Sequence, residues 1–378
     1  MKKLIPVMRV NYTLFDILRA FFISNKNVQY RERLCNQISK YFGVGEVILT
    51  SSGRNAIYLL LKSLKQKKVI IPSYTCGVVV EAAMLAQKDI IYAHVNPKTL
   101  NADFNDVEID ADCIVIATHQ YGNPCPIIAI VDRCKSVGAL VIEDCAGSLG
   151  TCVNGKLTGT FGDYGVFSFS ASKTFQSPTK GGFVIACNGA DLTAVKEYSK
   201  LYADNLKDKF KTLIKSIGFC LNNNVFFCRL ITIARRGGES VSSYTDDPSY
   251  SRGFYEWQAF VVSKQFDRID GVLNNRIKMA KEYKEAIELN GIQTFDFDEE
   301  AVQIRFPVLL KNKEKVRAAA VKYGIQLGGG YEKVYCPDNS DFDNEHTIIR
   351  DIAYLPFGNA YNKKEIDKVI HFMAEIKQ

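Results

Sequence analysis

The sequence predicts an α/β protein with a large, mainly parallel sheet domain followed by a smaller C-terminal α+β domain. Short apolar runs alternate along most of the chain with longer runs that have helical spacing. This alternation is typical of a parallel sheet with helices on both faces. A chain of 378 residues is long enough for two domains. We expect the large domain over residues 1–247 and the small domain over residues 248–378.

The elements follow one another in a regular order. Strands of the large domain are expected where short apolar runs occur, at 69–71, 90–95, 113–118, 141–144 and 166–169. A helix at 127–137 leads into the fourth strand, and a long helix is expected at 254–289, where apolar residues recur at helical spacing. The small domain is expected to add one strand and two helices, at 302–310, 314–323 and 363–376.

The ends of two predicted strands carry the chemically reactive residues. One run ends in Glu143 and Asp144, and Ser168 and Lys173 lie at or past the end of the other. The carboxyl ends of parallel strands are where α/β sheets collect ligands. Pyridoxal phosphate needs a lysine amine to bond with its aldehyde carbon and an acid group to keep its pyridine nitrogen protonated. On this pattern alone, a solvated lysine just past a strand remains the simpler interpretation.

The lysine segment resembles that of a known family. Residues 167–173, FSFSASK, and residues 181–184, GGFV, are similar to the lysine motif of the DegT/DnrJ/EryC1/StrS family of pyridoxal-phosphate-dependent sugar aminotransferases. Further segments resemble the family's other motifs in the same order, at 69–75, 119–122, 142–146, 355–357 and 365–366. The resemblance extends roughly from Gly43 to the C-terminus, apart from one poorly matched stretch at about 191–247.

The resemblance implies a fold, a cofactor and a reaction. The fold would be fold type I of the pyridoxal-phosphate-dependent transferases, which is aspartate-aminotransferase-like, and the cofactor would be pyridoxal 5′-phosphate. The reaction would transfer an amino group from an amino acid, with glutamate as the expected donor, to a nucleotide-linked keto-sugar. The pathway would be the biosynthesis of deoxyamino sugars and surface polysaccharides. Because the family's active sites are shared between subunits, a homodimer is expected.

The resemblance also assigns roles to individual residues. Lys173 would bond to the cofactor and later move a proton between substrate and cofactor carbons, while Asp144 would hold the ring nitrogen. The remaining cofactor-binding residues are expected to be Ser52, Gly53, Arg54 and Ser168. Small residues that open a helix bind anions through backbone amides and the helix dipole, although a plain N-cap has the same pattern. Substrate contacts are expected from His119 and Tyr331, with a structural histidine and a simple loop residue as the alternatives.

Four positions depart from the family pattern. Arg54 stands where a threonine is usual, with phosphate binding by its guanidinium and a plain surface arginine as the alternatives. Cys76 stands where an aromatic ring often stacks on the cofactor, and Gly147 stands where a glutamine or histidine often bonds to the ring hydroxyl. Ser251 stands where an asparagine reaches the neighbouring subunit's phosphate site, and Arg252 is a candidate substitute. These departures leave open a cofactor-binding protein without turnover, such as a regulatory homologue. Sugar dehydratases of the same fold carry histidine in place of the lysine, so Lys173 argues against that alternative.

Composition limits the other functions. The net charge of +7 is spread along the chain and no zinc-finger or RNA-binding signature occurs, so no nucleic-acid partner is expected. The eleven cysteines are scattered without metal-ligand spacing, so free thiols and no metal site are expected. No secretory signal core and no apolar run of about 20 residues occurs, so a cytoplasmic protein without a membrane span is expected.

The stretch 191–247 has the pattern of amphipathic helices. Packing against the same chain or a dimer partner is the default there, with a membrane surface or an active-site cover as alternatives.

Overall fold

The computed structural model describes most of the chain. The described residues are 3–23, 29–178, 180–200, 206–225, 227–228, 253–331, 335–336 and 342–376.

The large domain is built around a seven-stranded sheet within these residues. The strands of the large domain are β1 Val47–Thr50, β2 Lys68–Pro72, β3 Asp89–Ala93, β4 Cys113–Thr118, β5 Leu140–Asp144, β6 Cys152–Val153, β7 Lys156–Leu157, β8 Tyr164–Ser168 and β9 Gly182–Ala186. β6 and β7 pair only with each other, and the rest form the sheet in the order β1-β9-β8-β5-β4-β2-β3. β9 is antiparallel to both of its neighbours, and every other pairing in the sheet is parallel. The predicted mainly parallel sheet is therefore confirmed.

Helices cover both faces of this sheet. The helices of the large domain are α1 Leu14–Ile23, α2 Tyr30–Phe42, α3 Gly53–Ser63, α4 Gly77–Leu85, α5 Ile127–Val137, α6 Thr193–Lys200 and α7 Leu206–Asn222. In β4, Ile114 and Ile116 pack into the apolar cluster of α3 and α4, whereas Val115 and Ala117 pack into the cluster of α5. Because successive side chains point to opposite faces and both faces are buried, β4 is apolar at nearly every position.

The C-terminal part forms a small α+β layer. Its elements are α9 Ile269–Glu288, β10 Phe306–Leu309, α10 Lys313–Tyr323, α11 Asp343–Asp351, β11 Ile352–Leu355 and α12 Lys363–Glu375. The preceding helix, α8 Glu256–Phe266, packs instead on α1 and α2 of the large domain, through residues such as Trp257 and Phe266. β10 and β11 pair in antiparallel fashion, and Tyr283, Ala320 and Val369 from three of the helices share their apolar cluster. Ile5 from the N-terminal segment joins the same cluster and forms a bridge with Ile325.

The prediction of one long helix at 254–289 is wrong, because two helices occupy this range. The chain leaves helical geometry at Arg268, with φ −130° and ψ 34°. Asp267 accepts hydrogen bonds from Arg33 at 2.9 Å and from Gln37 at 2.8 Å, both in α2. These bonds fix the end of α8 on the large domain, whereas α9 packs into the small-domain cluster, so the axis must change between them. The boundary at residues 247 and 248 stays a prediction.

The strand expected at 302–310 is shorter in the structure, where β10 begins at Phe306. The residues before it are tied to the large domain instead. The amide of Val302 donates to the Thr151 side chain at 3.0 Å, and the amide of Ile304 donates to the Tyr121 carbonyl at 2.9 Å. This segment therefore connects the two domains beside the candidate site described below.

The poorly matched stretch at 191–247 is helical where it is described. It contains α6 and α7, and residues 201–205, 226 and 229–247 lie outside the described residues. Ser251 and Arg252, the expected replacements for the family's intersubunit contact, also lie outside them. Within the described part of the chain, no helix combines the length and the apolar character needed to cross a bilayer.

Candidate active site

A cavity of about 220 Å³ lies where β4, β5 and β8 end and α3 begins. Among the side chains that line it are all of the site residues expected from the sequence, namely Ser52, Gly53, Arg54, His119, Asp144, Ser168, Lys173 and Tyr331. Residues separated by up to 279 positions in the chain therefore meet in one place. The carboxyl edge of the parallel strands supplies the floor of the cavity, as expected for an α/β sheet.

Asp144 and Lys173 face this common cavity. Asp144 is the last residue of β5 and lies between Thr118 of β4 and Val166 of β8 in the strand register. Lys173 follows β8 in a turn that its backbone amide closes by donating to the Ser170 carbonyl at 3.0 Å. The two charges are close enough for each to favour the charged form of the other.

Burial shifts the pKa of Asp144 and of Lys173 in the direction that disfavours the charged form of each. It raises the pKa of Asp144, although the Ala146 amide at 3.0 Å and the Lys173 charge act in the opposite direction. Burial likewise lowers the pKa of Lys173, and the nearby Arg305 cation lowers it further. A lysine with a lowered pKa is more often neutral and is therefore a better nucleophile.

The start of α3 has the features of an anion site. Ser52 caps the helix, since its hydroxyl accepts the Asn55 amide at 3.1 Å, and the first-turn amides of a helix have no partner within it. Gly182 of β9 lets the sheet approach closely, because a Cβ there would lie 2.7 Å from the Gly53 nitrogen. Ser168 lies against the same turn, 3.0 Å from the position that a Cβ on Gly53 would occupy. A phosphate group would fit this turn.

Arg54 is engaged by a neighbouring helix. Its guanidinium lies 3.4 Å from Glu81 in α4, whose side chain is almost fully buried. This ion pair holds Arg54 at the wall of the cavity. Phosphate binding by its side chain stays a prediction, and any such contact would have to be shared with Glu81.

Two buried hydroxyls in the cavity wall have no hydrogen-bond partner among the described residues. They belong to Thr75 and Thr118. Buried polar atoms are nearly always satisfied, so these two point to a ligand with polar groups. Together with an amine, an acid and an anion site, they fit the aldehyde, the ring nitrogen, the ring hydroxyl and the phosphate of pyridoxal phosphate.

Cys76 and Gly147, two of the positions that depart from the family pattern, both line the cavity. A Cβ on Gly147 would lie 3.2 Å from the Gly122 nitrogen and 3.4 Å from Ile304, so a larger side chain would be crowded there. The hydroxyl of Thr118, paired with Asp144 in the strand register, is the candidate that the structure offers for the missing partner of the ring hydroxyl.

His119 is held by hydrogen bonds through both ring nitrogens. Its Nε2 donates to Glu143 at 3.0 Å, and its Nδ1 accepts the Cys125 amide at 3.2 Å, which places the ring proton on Nε2. Burial would raise the pKa of Glu143, but hydrogen bonds from His119 and from the backbone amides of Gly159 and Gly162 outweigh it, so the pKa is lowered. The ring of His119 has no spare polar atom for a substrate, which favours the structural alternative over substrate binding.

Tyr331 lies in a group of tyrosines at the other wall. Its hydroxyl accepts a hydrogen bond from Gln120 at 3.2 Å, and its ring packs 5.0 Å from that of Tyr74. Sequence reasoning missed Gln120 and Arg305, which also line the cavity. Arg305 is the only charged residue in the apolar run 301–310, and this isolation was the available signal.

The chain matches a family model over nearly its whole length. The model of the DegT/DnrJ/EryC1/StrS aminotransferase family covers residues 16–374. A "GDP-perosamine synthase" of Vibrio cholerae is 31% identical over 179 residues, which are 46% of this chain and 48% of that protein, so the match spans about half the length of that relative. A "dTDP-3-amino-3,6-dideoxy-alpha-D-galactopyranose transaminase" of Aneurinibacillus thermoaerophilus is 23% identical over 88% of this chain and 86% of that protein.

Solved structures share the fold. The structure described as "ntda from bacillus subtilis with bound cofactor pmp" superposes with a TM-score of 0.73 at 18% identity, covering 97% of this chain and 82% of that one. The predicted aspartate-aminotransferase-like fold is thereby confirmed. Because the family model extends from residue 16 to residue 374, the protein belongs to the DegT/DnrJ/EryC1/StrS aminotransferase family, whose cofactor is pyridoxal 5′-phosphate.

Proposed function

We propose that the protein is an aminotransferase that moves an amino group from an amino acid, glutamate, to a nucleotide-linked keto-sugar in deoxyamino-sugar and surface-polysaccharide biosynthesis. The observation that carries this proposal is the meeting of Lys173 and Asp144 in one cavity beside the anion site of α3. An amine with a lowered pKa and a buried acid are the two protein groups that such chemistry requires.

Asp144 and Lys173 would have different roles in the reaction. Pyridoxal phosphate supplies, when bound, a ring that takes up electrons from the carbon next to the transferred nitrogen. Asp144 would hold the ring nitrogen and keep it protonated, and this nearby positive charge would favour the ionised form of the buried carboxyl. Lys173 would hold the cofactor through its Nζ, and as a free amine it would act as the base that takes the proton from the donor's α-carbon.

The substrate class rests on relatives. One carries a name with a GDP-linked sugar and another a name with a dTDP-linked sugar, and both names describe amino sugars. The shared feature is a sugar carried on a nucleotide, so we propose this class and assign neither the base nor the sugar carbon. Lys180 also lines the cavity and adds a positive charge on its rim.

We further propose a homodimer in the cytoplasm. All eleven cysteines are free thiols in the structure, which suits a reducing compartment. Helix α1 turns a row of apolar side chains outward, including Phe15, which is 71% exposed, and Leu14 and Leu18, which are each 39% exposed. Apolar patches on a monomer are normally covered, and a second copy of the chain is the proposed cover.

An absorbance scan of the purified protein with its cofactor tests the activity. We expect a band from the lysine-bound cofactor that L-glutamate bleaches, because the donor amine displaces Lys173 and leaves the cofactor aminated. Lys173→Ala should lack this band, whereas Lys264→Ala, an exposed lysine outside the cavity, should retain it.

The alternatives give different spectra. A band that neither glutamate nor other amino acids bleach would support a cofactor-binding protein without turnover. A wild-type protein that shows no band at all would rule out the proposed function.

A further inference from the structure

Arg305 lines the cavity and has no acidic partner among the residues that the structure describes. No carboxylate or carbonyl of the described residues accepts a hydrogen bond from its guanidinium, and its charged nitrogens are not sealed off from the cavity. Charged groups that are largely removed from water are normally paired. Arg54, the other arginine among the described residues that line the cavity, follows this rule, since it pairs with Glu81 at 3.4 Å.

The surroundings hold Arg305 in place without neutralising it. Its guanidinium lies 4.5 Å from the ring centre of Tyr354, and Tyr354 shares a short hydrogen bond of 2.7 Å with Tyr121. Burial raises the pKa of Tyr121, Tyr331 and Tyr354, so these hydroxyls stay neutral near pH 7. Stacking on an aromatic ring fixes the plane of a guanidinium and leaves its edge free for a planar anion.

The position of Arg305 near Lys173 indicates which kind of anion Arg305 would bind. The charge of Arg305 reaches the Lys173 amine and lowers its pKa. In an α-amino acid the carboxylate is attached to the carbon that carries the amine, so it must lie close to the lysine when the two amines exchange. In a nucleotide-linked sugar the phosphates are separated from the keto carbon by part of the sugar ring. A carboxylate is also the planar, two-oxygen partner that a guanidinium binds through parallel hydrogen bonds.

We propose that Arg305 binds the α-carboxylate of the amino donor and so restricts the donor to α-amino acids. This inference rests on the proposed function and adds to it the residue that recognises the first substrate. Tyr354 positions the guanidinium, and Arg305 itself contacts the substrate. The anion of the donor then replaces the missing acidic partner.

Two measurements on the cofactor-loaded protein test the assignment. The first is the dependence of cofactor bleaching on L-glutamate concentration in Arg305→Gln and Arg305→Lys. We expect the KM for glutamate to rise roughly 10- to 100-fold in Arg305→Gln, the loss that corresponds to a charge-assisted hydrogen bond, and to rise less in Arg305→Lys. The second is a calorimetric titration with glutarate, a dicarboxylate without an amine, whose affinity should fall in parallel.

A matched control uses an arginine of the same domain outside the cavity. Arg350 is exposed and pairs with Asp351, so Arg350→Gln removes one positive charge without touching the site and should leave both measurements unchanged. Thermal unfolding of each variant separates loss of binding from loss of folding.

The outcomes distinguish this inference from the proposed function. Wild-type bleaching by glutamate with an unchanged KM and unchanged glutarate affinity in Arg305→Gln would overturn the role of Arg305 and leave the aminotransferase intact. Loss of affinity for UDP, GDP or dTDP with retained glutarate binding would also overturn it, because Arg305 would then bind the nucleotide. A wild-type protein that glutamate does not bleach but that binds glutarate through Arg305 would retain the carboxylate site and refute the transamination.

Discussion

Burial and charge act in opposite directions on the pKa of Asp144. Burial raises its pKa, whereas the Ala146 amide and Lys173 favour the ionised form. A protonated ring nitrogen would resolve the conflict by placing a positive charge beside the carboxylate. The residue is therefore adapted to the loaded protein at the expense of the cofactor-free one.

Asp144→Asn should act in opposite directions on the two forms. In the cofactor-free protein the folded-state pKa of Asp144 lies above its unfolded value of about 3.9, so folding favours the neutral acid. Its stabilising effect is complete below the unfolded pKa and is lost as pH rises through the folded pKa. Asparagine resembles the neutral acid at every pH. We expect the variant's Tm to exceed that of the wild type at pH 8, by roughly 2 °C for each kcal/mol gained, and the difference to vanish toward pH 4.

In the cofactor-loaded protein, Asp144→Asn should be unfavourable instead. Asparagine cannot carry the charge that keeps the ring nitrogen protonated, so the variant should bind the cofactor more weakly and react slowly. Asp132→Asn, at an exposed position in α5, is the control and should change neither the Tm nor the affinity. Equal stability of Asp144→Asn and wild type at both pH values would contradict this account.

The sequence predicted which residues meet in the cavity better than it predicted the side chains that each of them contacts. Asp144 and Lys173 could be identified because strand ends and a motif mark them. The ion pair of Arg54 with Glu81, 27 residues apart, and the two bonds that occupy the ring of His119 depend on packing that no local pattern encodes. For the same reason the sequence left two alternatives open for His119, and geometry favours one of them.

The fit between β9 and the start of α3 is the element on which the anion site depends. Gly182→Ala would place a Cβ 2.6 Å from the Phe167 carbonyl and 2.7 Å from the Gly53 nitrogen, so the strand or the helix must move. We expect a loss of about 1–3 kcal/mol in the free energy of unfolding, measured by chemical denaturation. Affinity for the cofactor should also fall, measured by fluorescence titration, because the phosphate turn is displaced.

Gly271→Ala in α9 is the matched control for this prediction. A Cβ there meets no atom within 4 Å, so alanine should instead stabilise the helix by about 0.5–1 kcal/mol. If Gly182→Ala kept wild-type stability and cofactor affinity, close packing at the phosphate turn would not matter.

The helical region around 254–289 shows what periodicity cannot predict. Apolar spacing continues across α8 and α9, yet the axis changes at Arg268 because Asp267 is bonded to Arg33 and Gln37 of a helix more than 200 residues earlier. The sequence has no proline near Arg268 to mark the change, and the nearest glycine, Gly271, lies inside α9. Element type was therefore predictable here, and continuity was not.

At the scale of the whole molecule, the exposed apolar side chains of α1 predict an interface between two copies. The buried side of α1 is fixed by Ile17 and Ala20, so the exposed Phe15 cannot turn inward. Phe15→Asp should convert a dimer into a monomer in sedimentation experiments, because it places a charge in a desolvated interface. Leu289→Asp changes an 87% exposed residue of the other domain and should remain dimeric. Wild-type protein that sediments as a monomer would contradict the expectation.

The central claim is that one lysine, held at the rim of the parallel sheet, bonds to the cofactor. Borohydride reduction of the loaded protein makes that bond permanent, and peptide mass spectrometry then identifies the modified residue. We predict that the added mass of the reduced cofactor lies on the peptide that contains Lys173, and on no other lysine at comparable yield. Modification of a different lysine, or of none, would contradict the account.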